Sequence, residues 1–284
     1  MHILVTGSSG YIGSSFINAF SAKYAFTEFS LQSKSLDEID LYHVDTVLHC
    51  AALVHQPSEH DYQKYYEINV EYPLRLAKKA KASGVGQFVF LSSVAVYGDN
   101  LELVSEDSPC NPKTAYAKSK LEAERKLQEL SDENFVISIV RFPMVYGKDS
   151  PGNMRSLVNI VQLLPILPFS GIGNRKTFLY IGNLVYALDK IIEHKQGSVF
   201  LVADNESLST TQLVKYIADA FDKKIYLFKL PLFSRALRLM KPALHVKLFG
   251  TLEIDNRSTI QKLNIENPYC TEEGIRHMIQ GEKK

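Results

Sequence analysis

Tyr116 and Lys120 stand four residues apart in the run Tyr116-Ala117-Lys118-Ser119-Lys120, inside a segment, 114–130, whose Lys and Glu recur at helical spacing. Residues at i and i+4 share one helical face. An ammonium beside a phenol favours the phenolate and lowers the tyrosine pKa from its free value of about 10. A tyrosine so placed is a general acid/base near neutral pH. On a charged helix the same spacing also arises from two side chains that only face solvent. A second feature stands nearby: the apolar run 87–91 leads into Ser92-Ser93. If that run is a strand of a parallel sheet, Ser93 sits at its carboxyl edge. Its hydroxyl can then bond a substrate alcohol or ketone oxygen that also faces Tyr116.

A glycine turn supplies a third feature. Gly7-Ser8-Ser9-Gly10-Tyr11-Ile12-Gly13 follows the β-branched run 2–6 and opens a helical apolar pattern over 11–22. The first glycine permits a tight turn, the second lets the backbone approach a pyrophosphate, and the third lets helix and strand pack closely. The helix start adds free N–H groups and the positive end of its dipole. The pattern alone also describes an ordinary strand–turn–helix connection. Dinucleotide folds often carry an acid about 20 residues further on for the adenosine ribose. Between 24 and 35 Glu28 is the one acid, and it lies inside the presumed strand. Lys34 reads as a surface lysine in preference to a 2′-phosphate partner. NAD and NADP both stay open.

These features need a scaffold. Apolar runs at 44–49, 87–91 and 134–141 alternate with helical patterns at 61–82 and 114–130. That alternation predicts an α/β fold, a Rossmann-type doubly wound parallel sheet covered on both faces. After Gly147 the rhythm changes: a turn at 150–152, a helix at 153–163, apolar runs at 176–181 and 198–202 that return to the sheet, and Ser209 as N-cap of a helix over 210–221. The expected division is a dinucleotide-binding domain over 1–147, rejoined by 177–203. A smaller, mostly C-terminal substrate lobe is expected from 148–176 and 204–284, with the ligand between the two at the carboxyl ends of the strands.

Composition narrows the class. The 284 residues carry 32 Lys+Arg against 31 Asp+Glu, a formal net charge of +1, which lacks the basic excess of a nucleic-acid binder. With 15 Tyr and 15 Phe the chain is unlike a disordered one. Cys50, Cys110 and Cys270 are scattered, with no zinc-type spacing, and His49 and His55 read as packing or polar cleft residues, so no metal is expected. The start reads as no signal peptide, and the apolar run 158–169 is short and holds Pro165 and Pro168, so a cytoplasmic protein with no transmembrane segment is expected. The stretch 223–247 is basic, has no acid and is interleaved with Leu, Phe and Met. It reads as a cover over a diphosphate ligand in preference to a patch that docks on anionic lipid.

In order, VTGSSGYIG, VDTVLHCAALVH, INVEYPLRLAKKAKASGV, FVFLSSVAVYG, NPKTAYAKSKLEAE, VRFPMVYGKDSPGN, NRKTFLYIGNLVYAL and LFGTLEIDNRSTIQKL resemble the extended short-chain dehydrogenase/reductases, the nucleotide-sugar epimerase/dehydratase family. The resemblance implies NAD or NADP as cofactor and a UDP-sugar as substrate. It puts Gly7, Gly10, Tyr11, Ile12 and Gly13 at the pyrophosphate, Ala51 and Ala52 along the cofactor, Ser92 beside it, and Phe142, Pro143 and Met144 near the nicotinamide. Lys120 would hold the nicotinamide ribose and tune Tyr116, the acid/base, with Ser93 as its partner; Asn69 would steady the neighbouring elements. Ser93, Val94, Tyr116, Asn153, Arg175, Lys176 and Asp255 would meet the substrate. Lys176 stands where the family usually has Arg, which keeps charge and loses bidentate phosphate geometry; Arg175 and Lys176 also read as a solvated turn. Helices 61–82 and 114–130 would form a homodimer interface.

Dehydratases of this family carry an Asp-Glu pair after the Ser/Thr position, where Val94 and Ala95 stand here. Without those carboxylates a 4,6-dehydratase is rejected. The tail segments look most like reductases that make UDP-N-acetylquinovosamine, so a 4-keto-sugar reductase of surface polysaccharide precursor synthesis is expected first. A UDP-glucose-type 4-epimerase with tightly held NAD is the alternative. A non-catalytic dinucleotide-binding subunit is a third reading, opposed by the intact Ser93, Tyr116 and Lys120.

Overall fold

The computed structural model describes residues 1–30, 36–54 and 61–281; Lys34 and His55 lie outside the described residues. Six strands form the central sheet: β1 (His2–Thr6), β2 (Ala25–Phe29), β3 (Thr46–His49), β4 (Gln87–Leu91), β5 (Val136–Arg141) and β6 (Val199–Leu201). Their order is β2-β1-β3-β4-β5-β6, and every pairing is parallel. β3 and β4 are buried along their whole length, which is why they read as unbroken apolar runs.

Successive residues of a strand face opposite sides of the sheet. Ile3, Val5, Leu48, Val89 and Val140 therefore enter one core with Phe16 of α1 (Tyr11–Phe20). Leu4, Val47, Phe88, Phe90 and Ile139 enter the other, with Leu76 and Leu127. The second core is roofed by α2, a continuous helix over residues 62–82, and by α3 (Ala115–Gln128). The sequence predicts one regular helix for α2. Instead, Glu67–Glu71 forms a π turn between Tyr62–Tyr66 and Tyr72–Ala82. Pro73 has no N–H to give the carbonyl of Asn69, and its ring crowds that carbonyl, so the ladder opens there.

The helices that follow are α4 (Asn153–Leu163), α5 (Ile181–His194), α6 (Thr210–Ala220), α7 (Phe233–Met240), α8 (Pro242–Phe249), α9 (Arg257–Leu263) and α10 (Thr271–Gln280). Helix α5 covers the first core through Leu184, Leu188 and Ile191. Ser209 caps α6 in a reciprocal box with Gln212, as its position predicts. A third core, with Tyr146, Val161, Phe178, Val214 and Ile275, lies under the later helices.

Of the two runs expected to rejoin the sheet, only 198–202 does, as β6. The other splits: Lys176–Thr177 pairs antiparallel with Ser207–Leu208, and Leu179–Tyr180 pairs with Val145–Tyr146. The Asp204 carboxylate ends the run, accepting from Tyr180 N at 3.0 Å and Asn183 Nδ2 at 2.7 Å and so starting α5.

Candidate active site

Thr6, His49 and Phe90 stand in register across β1, β3 and β4, and Leu91 pairs with Val140 of β5. The glycine turn, Cys50, Ser92 and Phe142 therefore leave the sheet at the same carboxyl edge. The order of strands reverses between β1 and β3, the switch point at which such sheets bind ligands.

Gly7 has φ +67°, and a Cβ there would stand 2.8 Å from Ala51 N. A Cβ on Gly10 would lie 3.1 Å from the Gly7 carbonyl oxygen, and one on Gly13 would overlap that oxygen. The turn is closed by Gly10 N donating to Gly7 O at 2.9 Å. Among the described residues no side chain caps α1, and no acid occupies its first turn. Its first N–H groups are thus left for an anion, and only glycine fits the surrounding backbone. This cradle fits the pyrophosphate of a dinucleotide. Ala51 is buried beneath the turn, Ala52 is half-buried after it, and Ile12 packs against the first core. Tyr11 opens α1; its hydroxyl is buried without a hydrogen-bond partner among the described residues, and burial raises its pKa. Phe142, Pro143 and Met144 continue from β5, with Met144 exposed. Glu28 lies in β2 and is exposed.

Ser93 follows β4 and caps a short 3-10 turn, Val94–Tyr97, accepting from Ala95 N at 3.2 Å. Thr114 caps α3, accepting from Ala117 N at 3.1 Å, which sets Tyr116 in the first turn. The Ser93 side chain lies near enough to the Tyr116 phenol to favour its ionised form. Lys120, one turn further on, is buried; its Nζ donates to the Leu91 carbonyl at 2.7 Å and lies 4.5 Å from the Phe90 ring centre.

The expected lowering of Tyr116 by Lys120 does not occur in this geometry. Burial pushes Tyr116 up to about 12, with the Ser93 side chain opposing and Tyr65 adding to the rise. The ammonium is turned to Leu91 instead, and burial brings Lys120 down to about 8 against the pull of Glu124 and Cys50. Behind it lies His49, whose Nδ1 meets Thr6 Oγ1 at 2.8 Å and which burial, then Lys120, lowers to about 3.

Two expected contact residues face inward. The Ser92 hydroxyl donates to Glu124, which is itself forked by Arg141 through Nε at 3.0 Å and Nη2 at 2.5 Å. Arg141 Nη1 also donates to the Tyr97 hydroxyl at 2.9 Å. Ser92 therefore offers the cleft its backbone, because its side chain completes a buried carboxylate. Val94 packs with Val96, Tyr97 and Leu201 in a small core. Glu124 and Arg141 were not legible beforehand: one sits among the charges of KLEAER, the other ends an apolar strand.

On the substrate side, Lys176 Nζ donates to the carbonyls of Val246 at 2.9 Å and Lys247 at 2.7 Å. Burial, then Lys247, lowers it to about 8. Arg175 pairs with Glu253 at 2.7 Å and Asp255 with Arg257 at 2.5 Å. These three charged groups are thus held by protein partners. Asn153 opens α4, and its side chain lies outside the described residues. Asn69, in the π turn, accepts from Leu53 N at 2.8 Å and donates to Ser119 Oγ at 3.1 Å, so it ties the chain after β3 to the helix of Tyr116.

Residues 3–203 match the NAD dependent epimerase/dehydratase family. The chain is 30% identical over 310 residues to a UDP-glucose 4-epimerase of Vibrio cholerae, across 98% of this chain and 94% of that protein. It is 26% identical over 251 residues to the N-acetyl-alpha-D-glucosaminyl-diphospho-ditrans,octacis-undecaprenol 4-epimerase of Escherichia coli O157:H7, covering 81% and 75%. The fold is shared with UDP-glucuronic acid 4-epimerase from Bacillus cereus in complex with NAD, at a TM-score of 0.78 and 19% identity over 99% of this chain and 98% of that one. With the glycine cradle and the neighbouring Ser93 and Tyr116 on one sheet edge, the chain belongs to the NAD-dependent epimerase/dehydratase family and is a dinucleotide-using enzyme of that kind.

Proposed function

We propose that the protein carries out oxidation and reduction at C4 of a UDP-sugar, with 4-epimerisation as the first reading. The observation that carries the C4 chemistry is that Ser93, after β4, and Tyr116, in the first turn of α3, stand near one another at the sheet edge that also bears the glycine cradle. Similarity along 94% of a UDP-glucose 4-epimerase supports the epimerase reading over the reductase. The absence of carboxylates at Val94 and Ala95 argues against dehydration.

The dinucleotide, when bound, supplies hydride transfer at C4. The chain's own part is to manage the proton on O4. Tyr116, a neutral phenol below about 12, donates to a keto oxygen as that oxygen gains charge. Ser93 bonds the same oxygen and orients it. In the opposite direction Tyr116 must accept the proton of the sugar alcohol. Lys120, on the same helical face, steadies the phenolate only when its ammonium turns from Leu91 O toward Tyr116. Arg175, Lys176 and Asn153 remain the proposed contacts to the nucleotide diphosphate, with Asp255 near the nucleotide end of the cleft. A homodimer through α2 and α3 goes with this reading.

A second reading, 4-keto reduction, is favoured by the tail segments that resemble UDP-N-acetylquinovosamine-forming reductases. One experiment separates the two. The protein is incubated with UDP-galactose, and in parallel with UDP-4-keto-6-deoxy-N-acetylglucosamine plus NADH or NADPH. UDP-glucose formed without net cofactor use supports epimerisation. Stoichiometric cofactor oxidation on the keto sugar supports reduction, and turnover of neither sugar sinks both readings.

A further inference from the structure

Several exposed apolar side chains cluster on residues the proposed chemistry does not use. Between 221 and 253 no side chain is fully buried. Phe233, Leu248 and Phe249 seat α7 and α8 on the third core. Leu232 (67%), Leu239 (84%), Met240 (79%) and Val246 (60%) stand outward. Pairing of Ile166–Leu167 with Tyr226–Leu227 extends this surface to Ile166 and Tyr226, which are also exposed. Its charge has one sign: seven Lys and Arg and no Asp or Glu lie between 223 and 247. Arg235, Arg238 and Lys241 are exposed beside the outward apolar residues.

We propose that α7 and α8 form a docking surface for an anionic phospholipid bilayer. The observations that carry this are the one-signed charge and the apolar side chains interleaved with it. Such helices lie in the plane of the interface, with apolar residues among the acyl chains and cations at the headgroups. No helix among the described residues is long and apolar enough to cross the membrane. A second copy of the chain fits less well, because a twofold contact would set like charges against each other. A nucleic acid would meet the charge and leave Leu239 and Met240 in water. A groove of about 530 Å³ at the start of α7 is lined by Lys229 and Arg235 together with the apolar Leu230 and Phe249.

The surface is firmly joined to the lobe. Lys176 Nζ binds the last carbonyls of α8, Thr210 Oγ1 donates to Leu248 O at 2.6 Å, and Asn174 Nδ2 donates to Gly250 O at 2.8 Å. Read as sequence, 223–247 favours a cover over a diphosphate; the outward Leu and Met reverse that order.

Flotation of the full chain tests the proposal, using vesicles of phosphatidylglycerol with phosphatidylethanolamine and vesicles of phosphatidylcholine alone. About tenfold more protein is expected on the anionic vesicles, with loss at raised salt. Leu239→Glu with Met240→Glu should abolish the difference, and Arg235→Ser with Arg238→Ser should reduce it several-fold. Turnover of a soluble UDP-sugar should be unchanged in both variants, which reports on the fold separately from docking. Equal flotation on the two vesicle types overturns the proposal. So does full anionic binding by the Leu239/Met240 variant, or a dimer in ultracentrifugation that this variant dissociates while vesicles bind neither form.

Discussion

The Lys120 ammonium donates to the Leu91 carbonyl at 2.7 Å, one helical turn from Tyr116 and directly beneath the end of β4. The lysine is therefore anchored to the strand that delivers Ser93. It holds α3 and β4 at a set spacing, and its charge sits in a buried place, which lowers its affinity for the proton.

That burial has a pH signature. Lys120 is brought down to about 8 from 10.5. Below about 8 the ammonium is charged in both folded and unfolded chains, and its burial costs stability in full. Between about 8 and 10.5 the unfolded chain holds the proton and the folded chain releases it, so stability rises with pH in that window. Urea unfolding of the wild type and Lys120→Met across this range should show a steeper rise in the wild type, the remaining rise in the variant coming from Lys176, which burial also lowers to about 8. Parallel curves would contradict it.

Tyr116→Phe should lower kcat by about 100-fold or more while dinucleotide binding stays near that of the wild type. Steady-state kinetics and fluorescence titration with NADH measure the two separately. Near-normal turnover in this variant would remove Tyr116 from the proton path.

Gly13→Ala places a methyl group against the Gly7 carbonyl and 3.1 Å from Ser8 Cα. Backbone cannot move aside cheaply, so a loss of about 1–3 kcal/mol is expected, together with weakened NADH binding. Thermal melting with and without NADH checks both; unchanged binding would show that the turn is not the pyrophosphate cradle.

Glu124 is buried and bonded by Ser92 and Arg141. Glu124→Ala leaves the guanidinium buried without its carboxylate, for a loss of about 3–5 kcal/mol. Glu124→Gln, which keeps shape and one acceptor, should lose less. Chemical denaturation of both variants orders them, and equal stability of wild type and Glu124→Ala would refute the account.

His49 works in the acid range. Burial lowers it to about 3 from 6.5, so it contributes stability above 6.5 that is lost as pH falls toward 3. His49→Gln should flatten the acid side of the stability profile between those values. An unaltered acid limb would mean that other groups dominate there.

Short-range patterns were legible in the chain itself. The Gly7–Gly13 turn, the unbroken apolar strands, the Ser209 cap and the spacing of Tyr116 and Lys120 each depend on neighbours a few residues away. Backbone geometry and helical period act at that range, so they mark the sequence directly. What only the tertiary structure decided is where the charged groups end. Lys120 meets Leu91 across 29 residues, Arg141 meets Glu124 across 17, and Lys176 meets Val246 across 70. The same holds for the outward face of α7 and α8, since exposure depends on what the rest of the chain leaves uncovered. Packing sets these distances and the local dielectric, and with them whether an ammonium one turn from a phenol acidifies it or is held elsewhere.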